Sequence, residues 1–459
     1  MKNLDAEIAI IGAGSAGLSV ASGAAQLGLK VILFEKGEMG GDCLNYGCVP
    51  SKALIAAAAA GPMSWVDAKA RVKAAIAAIA PHDSQERFEG LGVTVVREAA
   101  RFADARTLES ASTRVRAHRI VVATGSHAIV PPIPGLKTTP YLTNETVFDL
   151  DRLPGRLIIL GGGAIGVELG QAFRRLGAEV TIIEAARALN GFEPELTAPV
   201  LAALRADGVE LLEGWRATAA ASAPSGVALT IETQADERRT LEGTHLLLAV
   251  GRRPSLNGLD LDRAGVRMEK GRPILSPTLQ SSNKRVFFLG DASGKTLFTH
   301  AAGWHASAFV RTALFKARTR ADAVAIPAAL YTKPEIAQIG TTPAAARARF
   351  GEKAIALARA EFAGNDRAIC ERDTAGFAEI VIGPGGKILG AAVVGAEAGE
   401  LIAPMALALS ARMTIRALTS PVFPYPTRSE IWKRAASAYF TPIVFSPRTR
   451  ALVSVLKRF

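Results

Sequence analysis

Cysteine is scarce, with three in 459 residues. That excludes a disulfide framework, and in a reducing compartment it leaves only catalytic or transient bridges. Aromatic residues make up 6% of the chain, which disfavours a platform for stacked nucleic-acid bases even though 54 Lys and Arg against 42 Asp and Glu give a net charge of +12. No nucleic-acid partner is expected. Long apolar runs are missing as well. The charge-free stretch of residues 10–29 is interrupted by Gly12, Gly14, Gly17, Gly23 and Gly28 and follows Asp5 and Glu7, without a cationic leader or small-residue cleavage site. Neither a membrane span nor a signal peptide is expected there, and the expected location is cytoplasmic.

What the chain has in quantity is apolar side chains, 49% against 21% charged. Such a composition folds, and at roughly 150 residues per domain the length suits about three domains with their own cores.

The segment Glu7-Ile8-Ala9-Ile10-Ile11 reads as a strand, Gly12-Ala13-Gly14-Ser15-Ala16-Gly17 as a glycine turn opening a helix, and Val31-Ile32-Leu33-Phe34-Glu35 as a second strand. One such turn is weak evidence: with 43 glycines in the chain, roughly 0.4 chance matches are expected. The pattern recurs, however. Leu157-Ile158-Ile159-Leu160 leads into Gly161-Gly162-Gly163-Ala164-Ile165-Gly166 and on to Val180-Thr181-Ile182-Ile183-Glu184. Each glycine lies 149 residues after its counterpart, and Glu35 and Glu184 each follow the first glycine of their turn by 23. Glycines let a pyrophosphate approach the backbone at a helix N-terminus, and the carboxylate accepts from a ribose 2′-hydroxyl. The repeat predicts two dinucleotide sites. Because a carboxylate repels a 2′-phosphate, both sites favour a free ribose hydroxyl, as in FAD and NAD; Arg187, three residues past Glu184, leaves room for NADPH.

Apolar strands ending at glycine return at Ala123-Thr124-Gly125, Ala249-Val250-Gly251 and Leu289-Gly290-Asp291. Residues 131–140 are proline-rich and read as a linker. From about Pro327 the pattern changes. Glu379-Ile380-Val381-Ile382-Gly383 and Ile388-Leu389-Gly390-Ala391-Ala392-Val393-Val394 form a predicted antiparallel hairpin, with helical segments after it, as in an α+β domain.

Cys43 and Cys48 stand five apart in Gly41-Asp42-Cys43-Leu44-Asn45-Tyr46-Gly47-Cys48-Val49-Pro50-Ser51-Lys52. A regular helix would separate their α-carbons by about 7.5 Å, beyond the roughly 4.4–6.8 Å that a disulfide tolerates. A bridged pair therefore requires a distorted turn, which Gly47 and Pro50 permit, ahead of the alanine-rich helix from Ala53. Zinc finds no second spaced pair, since only Cys370 and six histidines remain. No metal site is expected. The thiols either pack inertly or, at a helix start near Lys52, have a lowered pKa that suits a redox pair beside a flavin.

The cysteine run, the paired glycine turns, Ala123-Thr124-Gly125, Gly251-Arg252-Arg253-Pro254, Gly290-Asp291 and Pro426-Thr427-Arg428-Ser429-Glu430 together resemble the pyridine nucleotide-disulfide oxidoreductase family over essentially the whole chain. Lipoamide dehydrogenases, glutathione reductases and mercuric reductases belong to it. The resemblance implies an α/β protein with two Rossmann-like domains and a C-terminal α+β dimerisation domain. Its implied divisions are an FAD domain at 1–145, an NAD(P) domain at 146–265, a central domain at 266–325 and an interface domain at 326–459. It implies a homodimer with an active site shared between subunits, in which electrons pass from NADH, preferred over NADPH, through FAD to a Cys43–Cys48 disulfide and on to a small-molecule or protein-borne acceptor. Cys48 would face the flavin, Cys43 would attack the acceptor, and Lys52 and Glu168 would pair beside the flavin. The FAD contacts implied are Gly12, Gly14, Ser15, Ala16, Gly17, Glu35, Thr124, Gly125, Gly290, Asp291 and Ala301; those to the nicotinamide nucleotide are Gly161, Gly163, Ile165, Gly166, Glu184 and Gly251.

One position departs from the family pattern. Dithiol-handling members carry a histidine before the closing Pro-Thr, oriented by a glutamate; here Tyr425 stands there, with Glu430 retained. The resemblance as a whole implies a dihydrolipoamide-dehydrogenase-like enzyme with a disulfide acceptor, and because tyrosine is a poor base at neutral pH, a mercuric-reductase-like metal-ion reductase is the alternative. Yet no cysteine follows Cys370 to deliver a metal. A flavoprotein redox sensor is a third reading. Arg428 is expected at the mouth of the site, favouring an anionic acceptor. The basic tail from Ser446 is expected either to pack on the dimer or to touch an anionic membrane surface.

Overall fold

A computed structural model describes residues 1–457, and the chain divides into two compact units, one of residues 1–188 and 209–323, the other of 189–208 and 324 onward. In the first unit the strand Lys2–Ile11 sits between Val31–Phe34 and Thr113–Val122, all parallel, with Ile10 opposite both Leu33 and Val121. Val286–Phe288 joins the far side of Thr113–Val122, so late residues complete the sheet started at the N-terminus. The C-terminal half of Lys2–Ile11 is apolar without alternation because both faces of this sheet are covered. Ile8 and Ile10 pack with Val20, Ala24 and Phe309 on one face, while Ala9 and Ile11 pack with Phe34, Phe102 and Phe288 on the other.

The repeat seen in the sequence recurs in the second sheet. Arg156–Leu160 pairs in parallel with Glu179–Glu184 and His245–Leu248, and the helix Ala164–Arg175 follows the glycine turn as Ser15–Gln26 follows the first. The last glycine of each turn brings helix onto strand. A Cβ on Gly17 would lie 1.9 Å from the Gly12 carbonyl oxygen, and one on Gly166 would lie 2.0 Å from that of Gly161. Only a bare α-carbon fits there.

The second unit is built on a five-stranded antiparallel sheet, ordered Ala328–Leu330, Glu335–Gly340, Ile388–Gly395, Phe377–Ile382 and Ala356–Glu361. It contains the predicted hairpin, with Ile380 opposite Ala391. The helix Glu430–Val444 buries Ile431, Trp432, Ala435 and Ala436 in the core of this unit. Trp432 Nε1 donates to the Leu401 carbonyl at 2.7 Å, so the large ring enters the core with its polar atom satisfied.

Gly166→Ala forces a methyl against a backbone oxygen that cannot move without the strand. A loss of about 3 kcal/mol is expected in chemical denaturation, with Gly163→Ala, whose Cβ meets nothing within 4 Å, losing under about 1 kcal/mol.

Candidate active site

The two glycine turns hold their glutamates in the same way. Glu35 Oε2 accepts from the Ala13 amide at 2.6 Å and Oε1 from the Gly37 amide at 2.7 Å. At the second turn, 149 residues on, Glu184 Oε2 accepts from Gly162 at 2.8 Å and Oε1 from Ala186 at 2.9 Å. Each carboxylate is thus fixed at the end of its second strand, beside the amides that open the helix. Ionised carboxylates so placed keep acceptor capacity for a ribose hydroxyl.

The cysteine run folds as two helices rather than one. Gly41–Asn45 ends at Tyr46, and Cys48–Ala59 begins at Cys48, five residues earlier than the alanine-rich stretch suggested. Pro50 is compatible with that early start because the first turn of a helix needs no amide donor. Gly47 makes the break possible: a Cβ there would meet Asp42 Oδ2 at 2.9 Å, the Asp42 carbonyl at 3.0 Å and Cys43 Cα at 3.3 Å. Cys43 and Cys48 are both free thiols and hydrogen-bond to each other. The Cys48 sulfur also lies 3.4 Å from Thr299 Oγ1, at the first residue of the helix Thr299–Ala313.

These contacts divide the two thiols. The hydrogen bond from Cys43 brings the Cys48 pKa down to about 6, helped by Thr299 and the Lys52 charge against the opposing cost of burial and of Asp42. Its position at the start of a 12-residue helix acts in the same direction. Cys43 is pushed up, first by serving as the donor to Cys48 and then by burial. One thiolate and one thiol therefore coexist at neutral pH.

In the same unit, other residues singled out in the sequence make specific polar contacts. Lys52 Nζ meets Glu168 Oε2 at 2.8 Å, joining the cysteine helix to the helix of the second glycine turn. Asp291 accepts from Ser126 Oγ at 2.5 Å, and burial raises its pKa. The sequence alone does not mark Arg252, Asn144, Ser126, Asp42 and Thr299 as site residues, although Asp42 and Arg252 stand within its motifs. Arg252 donates to Ser126 Oγ at 2.8 Å and Asn144 Oδ1 at 2.9 Å and pairs with Asp42 at 3.1 Å; Asn144 also donates to Asp42 at 2.9 Å. His305 is a core residue: Nδ1 accepts from the Gly290 amide at 3.2 Å, and burial lowers its pKa to about 4.

Tyr425 and Glu430 belong to the second unit. Tyr425 is exposed, and its hydroxyl donates to Asp366 Oδ2 at 2.9 Å, which with the Asp366 charge raises its pKa. Glu430 Oε2 accepts from the Thr427 amide at 3.3 Å. The expectation for Arg428 fails. It is 6% exposed, bound by Glu371 at 2.7 Å and by the Asp373 carbonyl at 3.1 Å, so its charge is consumed inside its own unit and does not wait for an anionic acceptor.

The thiolate absorbance of the reduced protein should rise with pH through a midpoint near 6, since Cys48 loses its proton there. Thr299→Val removes one lowering contact and should move that midpoint upward. A midpoint indifferent to Thr299 would show that the hydroxyl does not hold the thiolate.

The pyridine nucleotide-disulphide oxidoreductase family model matches residues 6–306, and the dimerisation domain of the same family matches 326–436. A mercuric reductase of Streptomyces lividans is 33% identical, with 95% of this chain and 97% of that protein aligned. A dihydrolipoyl dehydrogenase of Geobacillus stearothermophilus is 34% identical over 96% and 97%. Among solved structures, the Cu(II) complex of the HOCl-induced flavoprotein disulfide reductase RclA from Escherichia coli superposes with a TM-score of 0.85 at 26% identity, covering 93% of this chain and 98% of that one. The chain belongs to the pyridine nucleotide-disulphide oxidoreductase family of FAD-dependent enzymes.

Proposed function

We propose that the protein is an NADH-consuming flavoenzyme that reduces a disulfide acceptor through Cys43 and Cys48. The observation that carries this reading is the divided thiol pair: a low-pKa Cys48 at a helix start beside Lys52, and a protonated Cys43 next to it. The chain's residues fit FAD. Thr124 Oγ1 is buried and meets no hydrogen-bond partner among the described residues, the first glycine turn admits no Cβ at Gly12 or Gly17, and Glu35 is fixed beside it. Bound there, FAD would supply two-electron transfer from the nicotinamide nucleotide to the Cys43–Cys48 disulfide.

The reduced pair then serves the acceptor. Cys43 passes its proton along the hydrogen bond to the Cys48 thiolate and, as the thiolate, attacks one sulfur of the acceptor disulfide, forming a mixed disulfide; the leaving sulfur takes that proton from Cys48, which is again a thiolate. Cys48 thiolate attacks the Cys43 sulfur, the second acceptor thiol leaves with a proton from solvent, and the Cys43–Cys48 bond is restored. The Lys52 ammonium, fixed by Glu168, stabilises negative charge at this end of the site. Gly14, Ser15, Ala16, Gly125, Gly290, Asp291 and Ala301 would line the FAD side, and Gly161, Gly163, Ile165, Gly166 and Gly251 the NADH side. Glu184 favours NADH over NADPH because a carboxylate held at the end of the second strand accepts from a ribose 2′-hydroxyl and repels a 2′-phosphate. In the homodimer, Tyr425 and Glu430 would approach the second subunit's thiols.

Tyr425 favours a second reading, a thiophilic metal ion as acceptor. A tyrosine whose pKa is raised by Asp366 neither gives nor takes a proton readily at neutral pH, and thiolates bind such ions without a proton donor.

Anaerobic reduction by one equivalent of NADH, then mixing with oxidised lipoamide, should give repeated reoxidation seen in the long-wavelength flavin absorption. A reduced enzyme that is stable to lipoamide but discharged by Hg(II) would move the assignment to the metal reading. Tyr425→His should raise lipoamide turnover by about tenfold or more, because histidine exchanges protons at neutral pH. For the nucleotide, kcat/KM should favour NADH by about tenfold or more, and Glu184→Ser should narrow that ratio.

A further inference from the structure

The last helix, Pro447–Leu456, buries none of its residues. Leu452, Val453, Val455 and Leu456 are each more than half exposed, and Phe445, just before the helix, is 63% exposed. At 100° per residue those four aliphatic side chains span an arc of about 160°, with Arg450 and Lys457 outside it and Arg448 just inside one edge, a turn before Leu452. Ser446 caps the helix, its Oγ accepting from the Thr449 amide at 3.3 Å. A ten-residue helix is marginal in water without a surface to pack on. This one has none within its own chain.

The charge of the segment says what that surface is. No acidic residue follows Glu430, whereas Lys433, Arg434, Arg448, Arg450, Lys457 and Arg458 do; these six account for half of the net charge of +12. The segment also lies beyond residue 436, where the match to the family's dimerisation domain ends. A second copy meeting this patch across a two-fold axis through it would bring like charges together. A polyanion without an apolar phase would satisfy the arginines and leave the aliphatic arc in water. An anionic bilayer satisfies both at once, taking the aliphatic side chains below the headgroups and the cations among them.

We propose that residues 445–457 form a membrane-surface anchor, lying in the interface of an anionic phospholipid leaflet with Leu452, Val453, Val455 and Leu456 inserted. The enzyme would then work at the membrane surface without spanning it; among the described residues no helix is long and apolar enough to cross a bilayer.

The test is co-sedimentation of the full-length holoenzyme with vesicles of phosphatidylglycerol and phosphatidylcholine, compared with phosphatidylcholine alone. Binding to the anionic vesicles should be tighter by about tenfold or more, and should fall with added salt. A chain ending at Phe445 should lose it, as should Leu452→Ser/Leu456→Ser and Arg450→Glu/Lys457→Glu, each by about tenfold or more. Each variant should keep the flavin spectrum, the response to NADH and the dimeric elution volume, since no buried side chain is altered. Equal vesicle binding by the shortened chain would overturn the proposal. So would a shortened chain that elutes as a monomer, which would assign the helix to a second copy, or a leucine variant that binds unchanged, which would reduce the contact to charge alone.

Discussion

The break at Gly47 is the constraint on which the redox site depends. A continuous helix would hold Cys43 and Cys48 apart and give neither sulfur a helix start. Ending one helix at Tyr46 and opening the next at Cys48 lets Cys43 hydrogen-bond to Cys48 and puts the positive end of the second helix behind the receiving sulfur. The approach is close enough that the Asp42 carboxylate and carbonyl leave no space for a side chain at position 47. The same residue that removes the side chain therefore sets the asymmetry between the thiols, and with it the order in which they can act.

That turn is held from outside by a polar chain. Asp42 is bound by Arg252 and Asn144, Arg252 continues to Ser126, and Ser126 donates to Asp291. Arg252 comes from a three-residue strand that pairs with Ser126–Ala128, where Pro254 faces Ser126. Residues more than 100 positions apart in sequence thus fix one another, and a charged Asp42 beside the thiols is tolerated because its charge is already matched. Half-buried carboxylates near a redox sulfur otherwise oppose thiolate formation.

Much of this was legible in the sequence because repetition multiplies weak signals. The spacing of 149 residues carried over to hydrogen bonds, with Glu35 and Glu184 each accepting from an amide of their own glycine turn and from an amide two residues on. Lys52 and Glu168, 116 positions apart, could be paired only through the family resemblance, and they meet at 2.8 Å. The helix opens at Cys48 rather than at Ala53, because Pro50, a breaker within a helix, is harmless in a first turn. Arg252, Asn144 and Thr299 were invisible as site residues because polar networks have no periodicity. Arg428 was misread for a related reason: a cation beside a motif looks available until Glu371 and Asp373 are seen to occupy it.

The tyrosine at position 425 reaches further than one proton, because it selects among acceptors. In thiol exchange the leaving sulfur departs as thiolate unless an acid stands ready, and its rate rises as the pKa of the departing thiol falls. Cys43 supplies one proton, and its raised pKa makes it a reluctant donor. Tyr425 is committed to Asp366, so no second donor of matched pKa is placed in its stead. On the proposed reading, the site therefore turns over ordinary alkyl disulfides, whose thiols have a pKa near 8.5, but more slowly than acceptors whose leaving groups need no proton. Disulfides of acidic thiols meet that condition, and so do thiophilic metal ions, which places the two readings of the acceptor on one scale of leaving-group basicity.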